Sequence, residues 1–151
     1  MTKKVRILLV DDEKEFLDSI SERVKLKGFE PILATSGEEA LELAREHRIE
    51  LAVVDLKMPG MDGLVTIQKL KEINPKLHTT LLTAYGDEKV QQATEGLDSE
   101  YFEKDDMDSF WSFLKRIPKT LEDSMAAAGI ATGGDLDDAA HYSEDYEDED
   151  K

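Results

Sequence analysis

At 151 residues, 40% of them hydrophobic and none of them cysteine, the chain suits one globular domain with a sizeable core and excludes disulfides and thiolate metal sites. No apolar run approaches the roughly 20 residues that span a bilayer. The apolar stretch after Lys3-Lys4 stops at Asp11, short of a secretory leader, so a cytoplasmic protein with no membrane partner is expected.

The net charge of −16 leaves no basic face for binding phosphates, which argues against nucleic acid as a partner. That charge is unevenly spread. Residues 1–121 carry 24 acids and 18 Lys or Arg, whereas residues 122–151 carry 11 acids and one Lys. The shift predicts a domain over residues 1–119 and a C-terminal extension over 120–151.

In chain order, β-type runs alternate with helical patterns five times. The first strand is read over Val5–Val10, and Phe16, Leu17, Ile20 and Val24 follow at helical spacing, closed by Gly28. A second strand, Pro31–Ala34, precedes a capping box of Ser36 and Glu39. The third strand is Leu51–Val54, with Leu64, Ile67 and Leu70 as the next helical stripe. Thr79–Thr83 and a weaker stripe of Val90, Ala93 and Leu97 come next, then Ser99–Phe102. Asp105 is placed as the cap of a fifth helix carrying Phe110, Trp111, Phe113, Leu114 and Ile117, which Pro118 ends. Three aromatics within four residues cannot share one helix face, which leaves room for a partner contact there.

Thr120 with Asp123 resembles a fresh cap, so a short helix over 120–128 is expected, followed by an acidic flexible tail. Strict β–α alternation, with the first, third and fourth strands apolar on both faces, predicts a three-layer α/β sandwich around a parallel sheet.

Asp11 and Asp12 follow the first strand and Asp55 follows the third. In sheets of this kind ligands bind beyond the carboxyl ends of the strands, where the winding reverses. If strands one and three are neighbours there, the three carboxylates converge, and their repulsion calls for a cation. An all-oxygen set suits a hard ion such as Mg²⁺. Thr83 and Lys104, at the ends of the fourth and fifth strands, add a hydroxyl donor and an ammonium, which a phosphoryl group needs.

These pieces resemble the receiver domains of two-component response regulators. The matching stretches are Leu9-Val10-Asp11-Asp12-Glu13, Val53 through Gly63 with its Asp-x-x-Met-Pro-Gly-Met-Asp-Gly block, Leu82-Thr83-Ala84 and Tyr101-Phe102-Glu103-Lys104. The resemblance covers residues 4–118 and implies a flavodoxin-like (βα)5 fold with strand order 2-1-3-4-5. It implies that Asp55 is the phospho-acceptor. Mg²⁺ would be bound by Asp12, Asp55 and the Lys57 backbone carbonyl, and by Asp11 through water. Thr83 and Lys104 would contact the phosphoryl oxygens, and Tyr101 would switch with Thr83.

The donor implied is a histidine kinase or histidine phosphotransfer protein. The chain would be no classical enzyme, although it would catalyse its own phosphorylation and dephosphorylation. Lys57 and Tyr85, two residues beyond the acceptor and the threonine, are the positions that tune phosphoryl lifetime in this family, and their bulk predicts slow loss.

Asp105 departs from the family pattern, which has a proline after the lysine, and a trans Lys104–Asp105 bond is expected. With about 30 residues left for any output module, a single-domain regulator is expected to signal through the helix 4, strand 5 and helix 5 face to a protein target the sequence does not name. Leu121 and Met125 are candidates to cover the helix 4/strand 5 part of that face. The alternative is a pseudo-receiver that binds proteins without being phosphorylated. An aspartyl-phosphate phosphatase fits poorly, because Lys57 stands where such enzymes carry a second acid.

Overall fold

The computed structural model of the chain describes residues 3–121. Five strands, β1 (Arg6–Val10), β2 (Glu30–Ala34), β3 (Leu51–Val54), β4 (His78–Thr83) and β5 (Glu100–Glu103), alternate with helices α1 (Lys14–Leu26), α2 (Gly37–Glu46), α3 (Gly63–Ile73), α4 (Glu88–Gly96) and α5 (Met107–Lys115). All pairings are parallel, and the sheet order is β2-β1-β3-β4-β5, the flavodoxin-like order expected.

Strand periodicity explains how the core divides. Ile7 and Leu9 of β1, Leu51 and Val53 of β3 and Leu82 of β4 face α1 and α5, where they meet Leu17, Ile20, Val24, Phe110 and Leu114. Their neighbours Leu8, Val10, Ala52, Val54 and Leu81 face the other way, onto Ala40, Leu41, Ile67 and Leu70 of α2 and α3. Burial on both faces explains the apolar runs of β1 and β3, while β4 places Leu81 and Leu82 among the buried Thr79, Thr80 and Thr83; each buried aliphatic side chain contributes about 1.5–3 kcal/mol.

Local chemistry sets the helix starts. Ser36 accepts from the Glu39 N–H, while Glu39 reaches back to the Thr35 N–H. Asp62 caps α3 through Val65 and Asp87 caps α4 through Val90. The cap of α5 corrects the sequence reading. Asp106 accepts from the Ser109 N–H, while Asp105 stands one residue earlier, in the turn that follows β5. Propensity alone does not choose between adjacent aspartates; the turn closed by the Asp106 N–H on the Glu103 carbonyl does.

The three aromatics of α5 serve mainly the core. Phe110 and Trp111 are buried and Phe113 is half-buried, with its ring 5.2 Å from that of Phe102 on β5.

Beyond α5 the chain returns to the start of β1. Thr120 bridges Lys4, the Val5 N–H donates to the Lys119 carbonyl, and the Leu121 N–H donates to the Lys3 carbonyl. Leu121 therefore packs on the α1/α5 side rather than on the helix 4/strand 5 face. The remainder of the expected helix over 120–128, Met125 and the acidic tail lie outside the described residues.

Candidate functional site

The sheet carries its hydrogen-bond ladder one residue past the strands that matter. The Asp11 N–H donates to the Ala34 carbonyl and the Asp55 N–H to the Val10 carbonyl, which fixes both backbones at the carboxyl edge. Because β1 and β3 are neighbours, Asp11, Asp12 and Asp55 converge, with carboxylate oxygens all within 4.8 Å of one another. Asp11 and Asp55 are only 3% and 2% exposed, and Asp12 faces solvent.

Two charged carboxylates buried together are costly unless compensated. Burial first, and the neighbouring Asp11 charge second, push the Asp55 carboxyl up to about 6, against the pull of Lys104, the Thr83 hydroxyl and the Leu56 N–H. Burial likewise raises Asp11, despite its hydrogen bond to Lys104.

Lys104 is the compensating cation. Its Nζ donates to Asp11 Oδ2 at 2.7 Å and to Glu13 Oε1 at 3.2 Å, and stands 3.7 Å from Asp55 Oδ1. Burial pulls the lysine down, but the bond to Asp11 and the charges of Asp11 and Asp55 outweigh it and hold the ammonium protonated. The Phe16 ring lies beneath it, 4.1 Å from Nζ to the centroid. The Lys104–Asp105 bond is trans, like every peptide bond among the described residues.

Thr83 is fully buried at the end of β4, its hydroxyl accepting from the Tyr85 N–H. Asp55 Oδ1, in contrast, accepts no hydrogen bond.

The Lys57 and Tyr101 side chains lie away from the carboxylates, which leaves the Lys57 carbonyl as its expected contribution. The Lys57 side chain turns onto the Tyr85 ring, its Nζ 4.5 Å from the centroid. The Tyr101 hydroxyl donates to Glu103 Oε2 at 2.8 Å and lies over Gly86, away from the carboxylates.

Sequence reasoning gave no role to Glu13, Phe16, Glu103 or Gly86. Phe16 read as one more member of an apolar stripe, and nothing in local spacing separates the others from ordinary turn residues. Gly60 lies in the turn after β3 and Gly63 opens α3, and the backbone of each requires glycine. Gly60 has φ +79°, a left-handed conformation. At residue 63 a Cβ would overlap the Asp55 carbonyl oxygen, so glycine lets the loop close against the acceptor's own backbone.

Residues 7–109 match the family described as the response regulator receiver domain. The chain belongs to the response regulator receiver domain family. Receiver domains are signalling domains of two-component systems rather than classical enzymes. This receiver is 31% identical over 91 residues to sporulation initiation phosphotransferase F of Bacillus subtilis, covering 60% of this chain and 73% of that protein. It is 34% identical over 93 residues to the transcriptional regulatory protein ZraR of Escherichia coli, of which it spans only 21%. Among solved structures, the response regulator protein TrrA from Thermotoga maritima, in complex with Mg²⁺-BeF, is 28% identical. It superposes with a TM-score of 0.67 over 74% of this receiver and 97% of that chain. No helix among the described residues is long and apolar enough to cross a membrane.

Proposed function

We propose that this receiver domain is a phosphorylation switch in which Asp55 accepts a phosphoryl group from a histidine kinase or histidine phosphotransfer protein. The observation that carries this reading is the buried Asp55 carboxylate, with one oxygen free of hydrogen bonds, flanked by Lys104 and two further acids.

The donor set fits Mg²⁺. Three hard oxygen ligands converge within 4.8 Å; burial, with the Asp11 charge second, raises Asp55, burial raises Asp11, and a divalent cation beside them would offset both. Asp12, Asp55 and the Lys57 carbonyl would hold it directly and Asp11 through water. Bound there, it supplies positive charge against the transferred group and keeps the acids ionised.

In the transfer itself, an Asp55 carboxylate oxygen attacks phosphorus in line as the phosphorus–nitrogen bond to the donor histidine breaks. The imidazole leaves with the electron pair and takes a proton from solvent. Lys104 and Thr83 then bond the phosphoryl oxygens. For Lys104 this means exchanging Asp11 for the new anion, and for Thr83 it means turning its hydroxyl. Movement of Thr83 and Lys104 draws on the β4–α4 loop and on β5, where Tyr101 follows, and the α4/β5/α5 face carries the output to a protein target. We further propose that residues 1–119 form this unit.

Incubating the protein with Mg²⁺ and a small phosphodonor, and weighing it intact, tests the proposal. The expected result is the mass gain of one phosphoryl group, absent in Asp55→Ala and absent when the metal is chelated. No gain, with the fold intact and partner binding retained, would make the chain a phosphorylation-independent binding module instead.

A further inference from the structure

The surface at the carboxyl ends of α1 and α5 is basic, which corrects the expectation that so acidic a chain carries no basic face. Trp111, the only tryptophan in the chain, is 6% exposed, and two side chains from the end of α1 and its cap cover its ring. The Arg23 guanidinium carbon is 4.2 Å from the ring centroid, and the Lys27 ammonium 5.2 Å away, just past the helix end. Lys115 stands one helical turn beyond Trp111 on the same face. Lys119 comes next after Pro118, its side chain packed on Gly28, next to Lys27.

Arg23 and Lys27 thus cover Trp111, with Lys119 beside Lys27 and Lys115 one turn along α5, and among the described residues no ion pair joins any of the four to a carboxylate. Cations at helix ends of this polarity are electrostatically favoured there, which explains why they are held, though not why they are left without counter-ions. Beneath them the Trp111 indole N–H, buried, has no acceptor among the described residues.

The antiparallel bridge of Thr120 to Lys4 brings the chain to this end of the sheet, the end opposite Asp55. The 30 residues beyond Leu121 carry 11 acids against one lysine, and six of those acids stand within Glu144–Asp150.

We infer that this acidic run of the chain's own C-terminal segment, residues 144–150, docks on the Arg23/Lys27/Lys115/Lys119 patch around Trp111 and covers the lower α1/α5 face. Charge complementarity is one ground: unpaired cations on one side, six acids in seven residues on the other. Reach is the other. Glu144 lies 23 residues beyond Leu121, and 23 residues reach about 25–30 Å even at random-coil dimensions. Leu121 itself is anchored beside the patch, so the local concentration of the acidic run there is of millimolar order. Docking does not require phosphorylation of Asp55, and it withholds the basic face from any other acidic partner.

The test uses the full chain. Because the protein has no cysteine, Ser143→Cys introduces a single thiol for a nitroxide next to the acidic run, and amide spectra of the ¹⁵N-labelled protein report where it goes. At about 10 mM salt the amides of residues 23–27 and 115–119 and the Trp111 indole are expected to lose about half or more of their intensity. Intensity should return at about 0.5 M salt. It should also return when Glu144, Asp145, Glu147, Asp148, Glu149 and Asp150 are replaced by their amides.

Three results would overturn the inference. One is undiminished intensity at low salt. Another is a loss centred on the α4/β5 face. The third is the same loss when the nitroxide sits on an unlabelled copy mixed with the labelled one, which would make a second molecule the occupant. The Ser143→Cys spectrum without the nitroxide confirms that the fold is intact.

Discussion

Lys104 and Asp11 are 93 residues apart in the chain, yet the lysine ammonium donates to the aspartate at 2.7 Å. The bond ties the end of β5 to the end of β1 across the intervening β3 and β4, and leaves the same ammonium 3.7 Å from Asp55. Asp105, standing where the family has proline, lies in the turn and leaves this reach intact. The lysine therefore waits on Asp11, close to where a phosphoryl group on Asp55 would claim it.

The first prediction concerns stability in metal-free buffer. The folded state raises Asp55 from 3.8 to about 6, so it binds the proton more tightly than the unfolded chain. Stability from this group is greatest below pH 4 and falls as the pH rises to about 6. The cost above that is about 3 kcal/mol. Asp55→Asn is expected to be more stable than the parent by about 2–3 kcal/mol at pH 7.5, and equal to it near pH 4, in urea unfolding with chelator present. A difference that did not change with pH would refute the electrostatic origin.

Mg²⁺ should stabilise the parent protein, by about 1.4 kcal/mol at ten times its dissociation constant. Most of that gain should vanish in Asp12→Asn and in Asp55→Asn. If all three proteins gained equally, the ion would be binding elsewhere, with the acids of residues 144–150 the first suspects.

Gly86 leaves the space that the Tyr101 hydroxyl occupies; a Cβ there would overlap it. Since that oxygen is the far end of a half-exposed side chain, the ring can turn away cheaply. Gly86→Ala is expected to cost less than about 1 kcal/mol and to shift the Tyr101 ring resonances as its hydrogen bond to Glu103 is lost. Unshifted resonances would mean that the α4 loop, and not the tyrosine, gives way.

The Lys57–Tyr85 contact bears on phosphoryl lifetime. A cation–π pair at an exposed site is worth about 0.5–1 kcal/mol. If it holds both side chains in the path of an attacking water, Tyr85→Ala and Lys57→Ala should each shorten the half-life of the phosphorylated protein about 2–5-fold. Unchanged half-lives in both variants would show that the pair does not guard Asp55.

What the sequence determined by itself was whatever depends on local period and composition. Apolar runs marked β1 and β3 as interior strands, a capping box and stripes marked the helices, and acids directly after two strands marked the site, because strand ends in such a sheet share one edge. The spacing of Asp55, Thr83 and Lys104 was readable for the same reason. Only the tertiary structure decided how those residues are partnered. That Lys104 rests on Asp11 and Glu13, that Tyr101 lies over Gly86, and that Arg23 and Lys27 cover Trp111 are contacts between different elements. They depend on helix and loop positions set by packing of the whole core, which no window of sequence contains. The cap of α5 makes the point at the smallest scale: Asp105 and Asp106 are equivalent as residues, and the turn after β5 chose between them.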